Sequence, residues 1–198
     1  MCDSNQTLQF YERNAGEFAD GTRTADMTDT RSRFAACLPA GGTVLDFGCG
    51  SGRDTKAFLD MGFAVEATDG SGELCRLASA YTGIKVRCES FGELDARERY
   101  DGIWACASIL HLPREELADV LGKISAALKP GGVLYTSFKY GDFEGMRNGR
   151  YFTCFTEGTL AGFWENVKGL QVFDLWITGD VRPDRKEEQW INLLARRA

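Results

Sequence analysis

The chain has 198 residues, a length that fits one domain, or a domain with a small cap. Hydrophobic residues make up 43% and charged residues 26%, which excludes disorder, collagen-like repeats and coiled coil as the main architecture. The formal net charge is −6, a sign that repels a polyphosphate and makes nucleic acid a poor partner.

The first forty residues read as two helices. Leu8, Tyr11, Ala15 and Phe18 recur at helical spacing, Phe34 and Leu38 do so again, and 39–42 (Pro-Ala-Gly-Gly) ends the segment. Short apolar runs then alternate with amphipathic helices. Strands are expected at 43–47, 63–68, 84–88, 101–107 and 133–138, with helices over 53–61, 73–81 and the stretch after Pro113. That last helix is the clearest, because Leu117, Val120, Leu121, Ile124 and Leu128 form one stripe. A helix over 157–167 with Thr156 as N-cap and strands at 170–178 and 189–195 complete the chain.

Strand and helix alternating at this spacing give right-handed crossovers and a parallel sheet with helices on both faces. With no repeat or linker, residues 1–198 read as a single domain, a helical cap over 1–40 and a core over 41–198. The 139–156 segment is too long for a tight connection and reads as a lid or binding loop.

Seven cysteines, an odd number with no CxxC pair, read as buried free thiols in a reducing compartment, and no metal site is expected. Residues 1–7 lack the basic-then-apolar order of a signal peptide, and no apolar run approaches the ~20 residues of a membrane span. The expectation is a cytoplasmic protein without a membrane partner. Oligomeric state has no signature in these residues.

The richest stretch is Val44-Leu45-Asp46-Phe47-Gly48-Cys49-Gly50-Ser51-Gly52-Arg53-Asp54. Glycines on alternate positions between a strand and a helix let the backbone pass close to a ligand. Asp69, after the next strand, suits both hydroxyls of a ribose, or else serves as a helix N-cap. Asp46 separates two nucleoside cofactors. A carboxylate beside the turn repels the pyrophosphate of a dinucleotide and attracts the cationic amino acid and sulfonium of S-adenosylmethionine. The G-x-G-x-G register also departs from the G-x-G-x-x-G of dinucleotide sites.

This run, with Tyr100-Asp101-Gly102-Ile103-Trp104 and Leu128-Lys129-Pro130-Gly131-Gly132, resembles class I S-adenosylmethionine-dependent methyltransferases. The order glycine turn, Arg53, helix, Gly62-Phe63 and Asp69 is especially similar to the tellurite-resistance type that methylates small molecules. The resemblance covers roughly residues 40–140. It implies a Rossmann-like, doubly wound, three-layer α/β/α fold with seven strands, mostly parallel, in the order 3-2-1-4-5-7-6, the last strand antiparallel.

By position, the resemblance implies that Gly48, Cys49, Gly50 and Gly52 wrap the methionine part of S-adenosylmethionine, with Asp46 near its ammonium. Arg53 would face the carboxylate, or lie solvated on the first helical turn. Asp69 would hold the ribose with Gly70 beside it, and Glu89 or the Ser90–Phe91 backbone would read adenine. Ala105 and Cys106 would border the reacting methyl, and Tyr11 would fold over the cofactor or simply pack in the core.

Methyl transfer asks chiefly for alignment and exclusion of water, a contribution of roughly 7–11 kcal/mol. A general base is needed only where the acceptor arrives protonated. His111, the sole histidine, overlooks the expected mouth as base or acceptor contact, or else as a helix-start residue bonded to backbone. Lys139, Arg147, Arg150 and Tyr151 stand beside aromatics and suit an anionic small-molecule acceptor, a metalloid oxyanion of tellurite type included. Residues 182–188, mixed in sign, read as a solvated turn, and Trp164, Trp176 and Trp190 as core. The rival readings are a non-catalytic S-adenosylmethionine-binding module and a nicotinamide-dependent oxidoreductase.

Overall fold

A computed structural model describes residues 3–182, 185 and 187–198. Its main sheet has seven strands: β1 (Thr43–Phe47), β2 (Ala64–Asp69), β3 (Arg87–Cys88), β4 (Tyr100–Ala105), β5 (Leu128–Lys139), β8 (Leu170–Gly179) and β9 (Gln189–Arg197). Their spatial order is β3-β2-β1-β4-β5-β9-β8, with β9 antiparallel to both neighbours. Counted within this sheet, that is the expected 3-2-1-4-5-7-6. The helices are α1 (Asp3–Arg13), α2 (Ala15–Arg23), α3 (Thr28–Ala35), α4 (Arg53–Asp60), α5 (Gly72–Thr82), α6 (Arg114–Ala127) and α7 (Glu157–Trp164).

Alternation along the central strands decides which face each residue serves. Leu45, Ile103 and Leu134 point to one side, where Leu117, Leu121 and Ile124 of α6 and Leu160 of α7 close the larger core. Val44, Trp104 and Tyr135 point to the other, against Phe34 of α3 and Phe58 of α4. Trp104 and Tyr135 stack there with ring centroids 4.0 Å apart. Gly102 admits this packing, because a Cβ at that point would lie 2.6 Å from Phe34 Cζ.

Several elements differ from expectation. The N-terminal region holds three helices rather than two. Asn14 ends α1 by bonding the Phe10 carbonyl through its side chain (2.7 Å), and Asp26 accepts from the Thr28 N–H at the start of α3. The third strand shrinks to two residues, since the Ile84 and Val86 N–H groups are taken by the hydroxyls of Thr82 and Ser79. The fifth strand starts five residues early, Leu128 pairing with Tyr100 before a register shift. The last helix stops at Trp164 rather than 167.

The 139–156 segment is not an open loop. It folds into a hairpin of β6 (Glu144–Arg147) and β7 (Arg150–Thr153), turned at Asn148 and Gly149. Both turn residues have positive φ, 51° and 77°, the geometry for which Asn-Gly is the strongest short signal. Free thiols are found at Cys37, Cys49, Cys75, Cys88, Cys106 and Cys154, but Cys88 is exposed rather than buried. Cys2 lies outside the described residues. Among the described residues no helix is long and apolar enough to cross a membrane.

Candidate active site

The tips of β1, β2, β4 and β5 open into one cavity of about 460 Å³. This volume falls within the roughly 300–1,000 Å³ usual for small-molecule sites. The floor is the turn after β1, where Gly48, Gly50 and Gly52 all take positive φ. At Gly48 a Cβ would meet Ser108 Cβ at 2.5 Å, so the turn closes only on glycine. Ser108 holds the turn by donating to the Phe47 carbonyl at 2.7 Å.

Among the described residues five carboxylates line this cavity, Asp46, Asp54, Asp69, Glu116 and Asp180, and two of them, Asp46 and Asp69, stand at the tips of β1 and β2. Asp46 is buried at the end of β1 and accepts from the Thr55 hydroxyl at 2.5 Å. Burial, reinforced by the nearby Asp54 charge, pushes its carboxyl up to about 7. Asp69 accepts from the N–H groups of Gly50 and Ser71, each at 2.9 Å, and burial raises it as well. Each Asp69 oxygen therefore uses one lone pair on backbone and keeps the other.

Arg53 lines the cavity, but its fork is held by Asp54 through Nε (3.0 Å) and Nη2 (2.6 Å). Asp54 also accepts from Arg31 (2.7 Å) and from the Trp104 indole (3.0 Å). Burial works against the Asp54 charge, yet Arg53 and Arg31 together hold that carboxyl below the usual range. The network ties α3 to the start of α4 through one buried acid.

His111 is buried in the 3-10 turn Ile109–His111 after β4, and both ring nitrogens are engaged. Its Nδ1 lies 2.6 Å from the Tyr151 carbonyl, an acceptor, so Nδ1 carries the proton. Burial pushes His111 down to about 4, so the ring is neutral near pH 7 and Nε2 accepts the Tyr11 hydroxyl at 2.8 Å. Tyr11 and His111 thus line the cavity as a hydrogen-bonded pair.

Helix α1 lies across the mouth and touches both sides. Glu12 accepts from the Ser71 hydroxyl (2.5 Å) beside the β2 tip, while Thr7 accepts from the Tyr151 N–H (2.9 Å) on the hairpin. Leu8 covers Gly70, where a Cβ would sit 2.5 Å from Leu8 Cδ2.

Cations gather at the hairpin end. Lys139 is ion-paired with Glu188 and lies over the rings of Phe152 and Trp190. The Arg150 guanidinium sits 4.5 Å from the Phe10 ring centroid and 5.2 Å from that of Phe152. Its Nε is buried with no hydrogen-bond partner among the described residues.

Of the residues singled out from sequence, the cavity collects Tyr11, Asp46, Gly48, Cys49, Gly50, Arg53, Asp69, Gly70, Ser90, Phe91, Cys106, His111, Lys139 and Arg150. Five lie outside its lining. Gly52 is pressed against Thr82 and Ala78 of α5, and Ala105 is fully buried in the larger core. Glu89 is paired with Arg87 and Arg147 lies on the Phe143 ring. The Tyr151 hydroxyl meets Glu144, leaving its backbone to serve His111.

The sequence reading missed other lining residues. Arg182 and Arg185, read as part of a solvated turn, border the cavity, as does Trp190, read as core. Pro183, Asp184 and Lys186 of that turn lie outside the described residues. Trp164 is buried as expected, while Trp176 is half-buried under the Arg33 guanidinium. Asp54, beside Arg53 in the glycine run, was legible as a titratable group but not as the hub of two arginines.

Residues 44–132 match the family model described as Methyltransferase domain. The ubiquinone biosynthesis O-methyltransferase of Bradyrhizobium sp. (strain ORS 278) is 33% identical over 106 residues, which are 51% of this chain and 41% of that protein. The enzyme of the same name from Nitrobacter winogradskyi is 35% identical over 117 residues, 55% of this chain and 42% of that protein. The chain thus aligns with about four tenths of the length of these curated relatives. Among solved structures, the Burkholderia thailandensis 1,6-didemethyltoxoflavin-N1-methyltransferase superposes with a TM-score of 0.79 at 26% identity, covering 96% of this chain and 87% of that one. That structure holds 1,6-didemethyltoxoflavin and S-adenosylhomocysteine. The matched segment runs from within β1 into β5, and the seven-stranded sheet is the Rossmann-like methyltransferase fold.

Proposed function

We propose that this protein is an S-adenosylmethionine-dependent methyltransferase acting on a small organic acceptor that carries negative charge. The observation that carries the reading is the pairing of two carboxylates, the buried Asp46 and the half-buried Asp69, around a turn that closes only on glycine. A carboxyl that burial and the Asp54 charge hold near 7, even with Arg53 nearby, fits an amino-acid ammonium and sulfonium, and rejects a pyrophosphate. When bound, the donor supplies a methyl group on a positively charged sulfur.

The chain's own residues then do the following. Asp46 neutralises the ammonium, and Asp69 accepts from the ribose hydroxyls with its two remaining lone pairs. Ser90 and Phe91 border the adenine end. Arg53, anchored by Asp54, presents its cationic edge to the carboxylate. Arg150, whose Nε is unsatisfied, and Lys139 hold the acceptor's anionic group between Phe152 and Trp190. With its ring pushed down to about 4, His111 is a poor proton acceptor, and its part is to accept the Tyr11 hydroxyl at Nε2 and fix it at the cavity. Helix α1 excludes water from both halves at once.

The relatives' names specify methylation of oxygen in ubiquinone biosynthesis and of a toxoflavin nitrogen, and they favour an organic acceptor. The tellurite-type acceptor implied by the first resemblance has no support among them. Titration calorimetry with S-adenosylhomocysteine, with NADH in parallel, tests the donor. Binding of the first alone is expected, and no heat with it at millimolar concentration overturns the reading. Labelled methyl donor with a panel of small aromatic acids and phenols then separates an enzyme from a binding module, which labels nothing.

A further inference from the structure

Behind the cavity wall, two cysteines converge on the backbone of the Asp69–Gly70 corner. Cys88 stands opposite Asp69 in the β2–β3 register, and Cys75 lies in the first turns of α5, just past the same corner. The Cys75 thiol lies 3.3 Å from the Asp69 carbonyl and 3.5 Å from that of Arg87, while the Cys88 thiol lies 3.8 Å from the Gly70 carbonyl. The Arg87 carbonyl that Cys75 meets belongs to the residue just before Cys88. Cys88 is exposed and Cys75 is buried. Among the described residues no third His, Cys, Asp or Glu joins them in a metal-holding group, which leaves thiol oxidation as the chemistry open to the pair.

We propose that Cys75 and Cys88 are an oxidation site, where a hydroperoxide links the two thiols into a disulfide across the corner that holds Asp69. Cys88, as thiolate, attacks one peroxide oxygen, the O–O bond breaks, and the product is a sulfenic acid with hydroxide, which takes up the proton that Cys88 had lost and leaves as water. The Cys75 sulfur then attacks the Cys88 sulfur. An S–S bond forms, and the sulfenic hydroxyl leaves with the Cys75 proton as a second water. Two thiols lose two electrons and two protons, and hydrogen peroxide is reduced to two waters.

The order follows from access. Burial pushes the Cys75 thiol up to about 12, so it reacts second, once Cys88 is activated. The consequence follows from packing. A disulfide shortens sulfur separation to about 2.0 Å. The corner between the sulfurs has no slack, because Asp69 is pinned by the Gly50 and Ser71 N–H groups and Gly70 is capped by Leu8. Closing the bond shifts Asp69 from its acceptor position. That effect on donor binding rests on the proposed methyltransferase reading, whereas the oxidation site itself does not.

The test treats the full chain with hydrogen peroxide, maps peptides under non-reducing conditions by mass spectrometry, and titrates S-adenosylhomocysteine before oxidation, after it, and after dithiothreitol. A Cys75–Cys88 peptide pair is expected in the wild type and absent from Cys88→Ser and Cys75→Ser. Binding is expected to weaken at least fivefold on oxidation and to return with dithiothreitol, with no change in Cys88→Ser. Oxidation that spares this pair and falls on the other cysteines overturns the site. A linked protein that binds unchanged overturns the coupling to donor binding. Reduced protein that ignores S-adenosylhomocysteine overturns the donor reading and the coupling with it, while the peptide map still judges the oxidation site.

Discussion

Asp46 offers the sharpest way to probe the donor site. Its carboxyl receives one hydrogen bond, from Thr55, and burial together with Asp54 pushes it up to about 7. An ammonium docking beside it favours the charged form and lowers that value in the complex. Binding below pH 7 must therefore expel a proton, so affinity is full above about 7 and falls about tenfold for each unit below. For one group, the loss between pH 8 and pH 5 is about ninetyfold, or about 2.7 kcal/mol. Calorimetry of S-adenosylhomocysteine across this range, in two buffers of different ionisation enthalpy, reads both the slope and the protons released. Asp46→Asn keeps an acceptor for Thr55, removes the charge and flattens the profile near the wild-type affinity at pH 5. A flat wild-type profile, or a slope that survives in Asp46→Asn, refutes the electrostatic argument.

Other consequences are as direct. Asp69→Ala is expected to weaken S-adenosylhomocysteine at least tenfold, while Glu89→Ala, outside the cavity, changes it less than twofold; titration of both variants checks the assignment. Gly52→Ala places a Cβ 2.8 Å from Thr82 Cγ2 at a φ of +78°, and is expected to cost about 1–3 kcal/mol, read as a lower melting temperature. Tyr11→Phe leaves the buried His111 Nε2 without its donor and is expected to cost about 1–3 kcal/mol in urea denaturation. Arg150→Gln is expected to abolish thermal shifts caused by small aromatic acids while leaving S-adenosylhomocysteine affinity within twofold; equal losses in both would reassign the residue to the donor.

Local chemistry made the central sheet legible. Alternation of apolar and polar residues and helix stops such as Gly62 place strands and helices before any contact is considered. The glycine run and the two acids marked the cavity floor, since a turn at positive φ is a property of the residue itself. The Asn148-Gly149 turn carries an equally local signal, whereas the length of the 139–156 segment by itself points to an open loop. The short third strand was different: its apolar run fits a strand, but hydroxyls of α5 claimed the backbone donors first.

What the amino-acid sequence alone determined is the glycine turn with its two acids, the proposed donor half, because there the chemistry sits on consecutive residues between a strand and the next helix. The proposed acceptor half was decided by tertiary structure. Tyr11 meets His111 across 100 positions, and Arg182 borders the cavity only because the sheet brings the β8–β9 connection back over the end of β5. Strand tips converge through sheet order, and sheet order follows from packing two apolar faces rather than from any local pattern along the chain.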